Sequence, residues 1–252
     1  MEKLTNYEFA VAGIALVTLL LAEYIGVWIG VRLRPIKDQE QTHLSRKTGT
    51  GLTILALLLG FSFSAAIHRY DQRKTYEEEE ATAISSEYSL AGILLEPDAT
   101  QVRKLLKQFV NLRIQYFESN NPHELSSIHE QRNQIEAQMW TIVVRDVRAN
   151  QSPIMGQVLS GINAVLSRPS YSQAAALDRI PFAVWFVLFT LALLCCGLVG
   201  YAGQETTSIT FHLILPIFLA VSFYIVATLD SQRYGIVRVL PVNLIRVKHE
   251  IN

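Results

Sequence analysis

The segment "LLLGFSFSAAIHRYDQRKTYEEEE", Leu57 to Glu80, contains no proline and a single glycine, Gly60. It begins with the hydrophobicity of a lipid-embedded helix and ends in four consecutive carboxylates. Nothing within it stops a helix, so it reads as one helix that leaves a membrane and continues into water. Two meanings are open. The helix lines a path from the bilayer interior to an acidic mouth, or it is an anchor whose emergent turns carry an ordinary solvated surface.

The rest of the chain sets the context. Half of the 252 residues are hydrophobic and 17% are charged, against roughly 25% charged in soluble domains. Four apolar blocks reach the roughly 20 residues that a helix needs to cross a bilayer. They run from about Tyr7 to Val31, Thr50 to Ile67, Pro181 to Tyr201 and Thr207 to Leu229, and Pro216 is expected to kink the last. No cleavage site follows the first block, which reads as a retained anchor. Between the second and third blocks, apolar residues recur at helical spacing. Val102, Leu105, Leu106, Phe109, Arg113, Tyr116 and Phe117 form one stripe, with the arginine near its edge. Ile135, Met139, Trp140, Ile142, Val143 and Val147 form a second, and Ile154, Val158, Leu159, Ile162, Val165 and Leu166 a third. Pro97-Asp98, Asn120-Asn121-Pro122 and Gln151-Ser152-Pro153 mark helix boundaries.

The expected fold is therefore an all-α membrane protein with four transmembrane helices. Residues 1–68 hold the first two, 69–179 a cytosolic helical insert, 180–230 the last two, and 231–252 a C-terminal tail. Four crossings put both termini and the insert on one side. Basic residues there, Arg69, Arg73, Lys74, Arg168 and Arg179 among them, favour the cytoplasm by the positive-inside rule, against Arg32, Arg34, Lys37, Arg46 and Lys47 in the first loop. The formal net charge is zero, which argues against a nucleic-acid partner.

Catalytic patterns are missing. In "HELSSIH", His123 and His129 are six residues apart, roughly 240° around a helix, so they cannot share a metal as histidines four apart would. "GFSFS" (Gly60 to Ser64) lies inside a membrane helix and has no strand before it, as a nucleophile elbow requires. The reading is not an enzyme, with no cofactor or metal. Cys195 and Cys196 read as small buried hydrophobes. More informative is Glu23, inside the first span and followed by Gly26 and Gly30. A carboxylate at membrane depth faces a protein interior or partner, and the glycines let another helix approach closely. The alternative is that Glu23 reaches interfacial water or Arg32. His212 and Asp230, towards the two ends of the fourth span, read as solvated at the interfaces.

At 100° per residue, Thr50, Ile54, Leu57, Phe61, Ser64, Ala65, His68, Gln72, Thr75 and Glu79 fall within about 40° of one line. Around an axis, several copies would make a hydrophobic constriction at Ile54, Leu57 and Phe61, then Ser64 and His68, then an acidic vestibule. Apolar rings can gate by dewetting, and acidic rings favour cations. The plainer reading of the glutamates is a solvated face, with Glu77 and Glu78 as surface charges paired to Arg73 and Lys74.

The stretch also resembles the signature of the bestrophin-like family of bacterial membrane proteins: Gly60-Phe61, then Arg69-Tyr70-Asp71 and Arg73, then Glu80, Ala81, Ala83 and Ile84. Glu23, Gly26 and Gly30 match a second family pattern. Leu229, Asp230 and Gly235 match a third, although Gln232 stands where proline is usual. The resemblance implies two spans, a helical cytosolic insert and two further spans. It also implies a distant likeness to bestrophins, pentameric anion channels whose second helix lines the pore. On that likeness Leu57 and Phe61 occupy the neck, with Ile54 or Thr53 one turn earlier. No counterpart of the acidic calcium clasp of animal bestrophins follows the fourth span.

The leading expectation is thus a homo-oligomeric, pentameric ion channel of a bacterial inner membrane, in contact with membrane lipids and inorganic ions. Kinship suggests anions. Glu79 and Glu80 as vestibule residues suggest cations and tip the reading that way, since a carboxylate ring acts over about 8 Å at physiological salt. The rival expectation is a non-conducting membrane scaffold. Its insert binds a protein partner around Glu77 to Glu80, and its Leu57–Phe61 face packs on the first and third spans of the same chain.

Overall fold

The computed structural model describes residues 2–33, 38–203, 209–231 and 237–252. Among these residues eight α-helices follow one another: α1 (Glu2–Leu33), α2 (Asp38–Leu90), α3 (Asp98–Glu118), α4 (Pro122–Ala149), α5 (Pro153–Leu177), α6 (Phe182–Ala202), α7 (Ile209–Asp230) and α8 (Val242–Ile251), with a 3-10 turn at Ala91–Ile93. No strand occurs among the described residues. Arg34, Lys37, Thr207, Gln232 and Gly235 of the sequence reading lie outside them.

Among the described residues four helices are long and apolar enough to cross a membrane, and the chain is a multi-pass, all-α membrane protein. It divides into two compact units, residues 1–70 with 179–238, and residues 71–178 with 239–252. The 53-residue helix α2 contributes to both. It begins at Asp38, so Arg46 and Lys47, expected in a loop, lie on helix.

In the first unit, α1 packs on α6 and α7. The core comprises Leu19, Leu55, Leu188, Ala192, Leu219, Ala220 and Phe223 together with both cysteines, which are free thiols acting as small apolar groups. Backbones meet where side chains are missing. A Cβ on Gly26 would overlap the Gly197 carbonyl oxygen, and one on Gly200 would overlap that of Glu23. Within a bilayer, dispersion between such closely approaching helices replaces the hydrophobic effect as the driving force.

The second unit is a soluble-type bundle. Its core draws on the anticipated stripes, Val102, Leu106 and Phe109 from α3, Met139 and Val143 from α4, and Val158, Ile162 and Val165 from α5. Trp140 and Ile154, read into those stripes, are exposed instead; Trp140 lies about 100° from Met139 around α4, so both cannot face one core. Helix starts follow the punctuation. Asn121 caps α4 by accepting from the His123 N–H at 3.1 Å, and Pro122 and Pro153 occupy first-turn positions whose missing N–H costs nothing. The segment read as a tail contains α8, whose Leu244, Val247 and Ile251 complete this core. Ten residues, of which only three apolar ones are buried, give a weak periodic signal, and only the core makes the helix worth forming.

The glycine contacts give a direct prediction. Gly200→Val and Gly26→Val should each destabilise the protein by about 1–3 kcal/mol, as overpacking does. Gly60→Ala should be neutral or slightly stabilising, because open space surrounds Gly60. Thermal unfolding in detergent distinguishes the two classes, and equal effects would refute the backbone contact.

Candidate functional site

Helix α2 carries two faces of opposite character. Thr48, Leu55, Ser62, Ala66, Arg73, Glu77, Glu80, Ile84 and Glu87 are buried and recur three, four or seven residues apart. This is the spacing of one helical stripe. The other face is bare. Ile54 is 48%, Leu57 57% and Phe61 64% exposed, and Ser64 and His68 are exposed as well. The face expected from the periodicity is therefore largely exposed within the chain, with Phe61 and Ala65 at its edge lining a groove beside Ala183, Val184 and Val187 of α6. The buried contact of α2 with the other spans is made by Leu55 and its neighbours, while Phe61, which the scaffold reading packs there, only borders a groove beside α6.

The glutamates separate sharply. Glu77 is not a surface charge: it is buried and accepts from the Leu244 N–H at 2.9 Å and from the Asn243 amide at 2.7 Å, which docks the first turn of α8. Burial pushes its pKa up, and those hydrogen bonds oppose the shift. Glu78 is exposed. Glu79 is half-exposed and pairs with Arg168 of α5 at the edge of a cavity of about 510 Å³, lined also by Thr75, Thr82 and Gly161.

Glu80 is fully buried and held by the Nε and Nη2 of Arg113, with Ser172 Oγ donating at 3.2 Å. A paired carboxylate inside the bundle presents nothing to a hydrated ion, so Glu80 leaves the vestibule lining expected from the sequence. Arg113 is not at the edge of its stripe but in the core, 1% exposed, with its guanidinium 4.5 Å from the Tyr116 ring centre and 5.5 Å from that of Phe117. Arg132 and Glu136 of α4 form an adjoining pair at 3.2 Å. Burial raises the Glu136 pKa and lowers that of Arg132, and each partner offsets the other. The sequence signal for this network was the helical phase of Glu80 and Arg113, each on the apolar side of its own helix.

In the first unit, Glu23 is buried and meets His212 Nδ1 at 2.9 Å, so it reaches neither interfacial water nor Arg32, which lies over the Trp28 ring. Gly26 and Gly30 share its buried face. His212 and Asp230 are not simply solvated either. The Asp230 carboxylate accepts from the Ile180 N–H at 3.0 and 3.2 Å, holding the entry to α6 against the end of α7. Such pairings join residues 50 and 189 positions apart, beyond the reach of local pattern. Among the described residues no cluster of three His, Cys, Asp or Glu is arranged to hold a metal.

A family model described as "Bestrophin-like domain" matches residues 17–244. Solved structures with the same fold include a single-substitution variant of a bacterial bestrophin homologue from Klebsiella pneumoniae, at 13% identity and TM-score 0.71, covering 96% of each chain. Another structure of a bacterial bestrophin homologue from that organism, phased on zinc, gives 14% identity and TM-score 0.67, covering 94% of this chain and 96% of the other. No curated protein matches the sequence.

Breaking the Glu80–Arg113 pair from one side should be costly in the helical bundle. Glu80→Ala or Arg113→Ala, each leaving a buried charge unpaired, should cost about 3–5 kcal/mol, and the double replacement by methionine far less. Glu79→Ala, which breaks an exposed pair, should cost under about 1 kcal/mol. Thermal melts of the purified variants check the ordering.

Proposed function

The chain belongs to the bestrophin-like family, and on that premise we propose that it is an ion channel, a homo-oligomer of five copies in a bacterial inner membrane. Its termini and helical unit face the cytoplasm, and α2 lines the pore. The observation that carries this reading is the bare face of α2: Ile54, Leu57 and Phe61 are exposed on one line while Leu55, Ser62 and Ala66, about a third of a turn round the helix, are buried. A face turned only to lipid would gain nothing from Ser64 and His68 continuing the line, whereas a pore wall accommodates both the apolar constriction and its polar exit. Ile54, Leu57 and Phe61 form the neck, Ser64 and His68 widen it, and Glu79 faces the vestibule. The relatives' fold supports this assignment at the level of architecture. Intramembrane Glu23, Gly26 and Gly30 serve packing of α1 rather than conduction.

Selectivity in this reading is a weak cation preference resting on Glu79 alone. Because Glu79 pairs with Arg168, a ring of these pairs carries little net charge, and its field is further reduced by counterions within about 8 Å at physiological salt. The scaffold reading keeps one supporting feature, the exposed carboxylate Glu78 on the helical unit, but it leaves the bare α2 face without a role.

Planar-bilayer recordings of the purified protein test the neck: Phe61→Ala should raise single-channel conductance, and no conductance, or none gained, would remove Phe61 from the pore. Arg168→Gln should shift the reversal potential towards cations, and Glu79→Gln towards anions; insensitivity to both would take Glu79 out of selectivity. Native mass spectrometry in detergent should give one oligomeric species, and a strict monomer is incompatible with an axial pore.

A further inference from the structure

Two turns beyond Glu80 on the same stripe of α2, Glu87 is 0% exposed, and neither carboxyl oxygen has a hydrogen-bond partner. Across from it on α5 stands Gly161. A Cβ there would overlap Glu87 Oε2 and come within 3.2 Å of Leu90 Cδ1, so the missing side chain is the space that the carboxyl occupies. The flanking α5 residues Val158, Ile162 and Val165 are all 0% exposed. Glu77 has the start of α8 as its donor and Glu80 has Arg113; Glu87 has neither. An ionised carboxylate without a donor is strongly disfavoured in such surroundings, and a proton is the remaining way to neutralise it.

We propose that Glu87 is a proton-operated wedge between α2 and α5. As the neutral acid it lies against the bare backbone of Gly161 and lets the two helices close. As the carboxylate it must draw water or a cation into the joint, and the helices part. The step is a simple ionisation: the O–H bond breaks, the proton goes to solvent, and the electron pair stays on the carboxylate.

The electrostatic surroundings agree. Burial alone lifts the Glu87 pKa from the ordinary 4.5 to about 8. Charged groups on the neighbouring elements are engaged elsewhere. Arg103 of α3 donates to the Tyr88 carbonyl at 3.2 Å, Lys107 of α3 lies over the Tyr88 ring, and Arg168 of α5 holds Glu79. On α2 itself Glu80 is held by Arg113, and the 3-10 turn Ala91–Ile93 carries no charge. The sign follows by linkage. Between pH 4.5 and about 8 the folded protein keeps a proton that the unfolded chain has lost, so stability falls as pH rises through that window and levels off above it. At neutral pH the closed form prevails, and mild alkalinisation loosens the joint. This holds whether or not the protein conducts.

The test uses the full-length protein in detergent. Thermal unfolding is followed from about pH 6 to about pH 9.5 for the wild type, Glu87→Gln and Glu87→Met, spanning the titration. The expected result is a wild-type midpoint that falls relative to both variants as pH rises. In parallel, amides of residues 82–90 and 158–165 should exchange faster in the wild type than in Glu87→Gln at the alkaline end, and match at the acidic end. Parallel profiles for all three proteins would overturn the proposal. Gly161→Ala supplies a check on the contact: it should destabilise the wild type but not the Glu87→Ala background, and an equal cost in both rejects the wedge. Should Glu87 variants not fold, infrared difference spectra of the wild type decide. A protonated-carboxyl band present near neutral pH and lost with a midpoint in the alkaline range sustains the proposal, and no such band overturns it.

Discussion

A buried carboxylate requires a donor or a proton, and α2 meets that requirement in three different ways on one stripe. Glu77 takes the backbone N–H at the start of α8, Glu80 takes a guanidinium from α3, and Glu87 takes neither and faces the bare backbone of Gly161. The bundle is organised accordingly. The α8 helix docks where Glu77 can accept from it, α3 delivers Arg113 to the core, and α5 lacks a side chain where the Glu87 carboxyl lies. Buried pairs of this kind contribute less net stability than their geometry suggests, because desolvation offsets attraction. They specify register, since a shift of one residue on α2 would leave charges unpaired.

The membrane unit obeys the same constraint with fewer resources. Hydrocarbon offers no donors, so Glu23 is matched by His212 and Asp230 by the Ile180 amide. Close backbone approach at Gly26 and Gly200 then supplies the dispersion that holds α1 against α6. Glu23 and Asp230, the two acidic groups at depth on α1 and α7, thereby both serve helix packing.

That division gives the helix its two roles. One side of α2 is committed to the chain's own core, and the other carries Ile54, Leu57 and Phe61 into the open. Two of the four carboxylates in the acidic run, Glu77 and Glu80, belong to the committed side. Charges counted without their partners read as one acidic surface, whereas Glu77 and Glu80 are interior, Glu78 is exposed and Glu79 is paired with Arg168.

The amino-acid sequence alone determined the four apolar spans, the helical bundle between the second and third, most helix starts and the face of α2 on which Leu57 and Phe61 lie, because each depends on local periodicity and capping chemistry. It also carried the family resemblance, in motifs of a few contiguous residues. Only the tertiary structure decided that Glu77 and Glu80 are interior, that Arg113 belongs to the core, that α8 is a packed helix, and that Glu23 and Asp230 have partners 189 and 50 residues away. The reason is physical. Periodicity says which side of a helix a residue occupies, but whether a charge on that side meets water, a guanidinium or a glycine depends on the element packed against it.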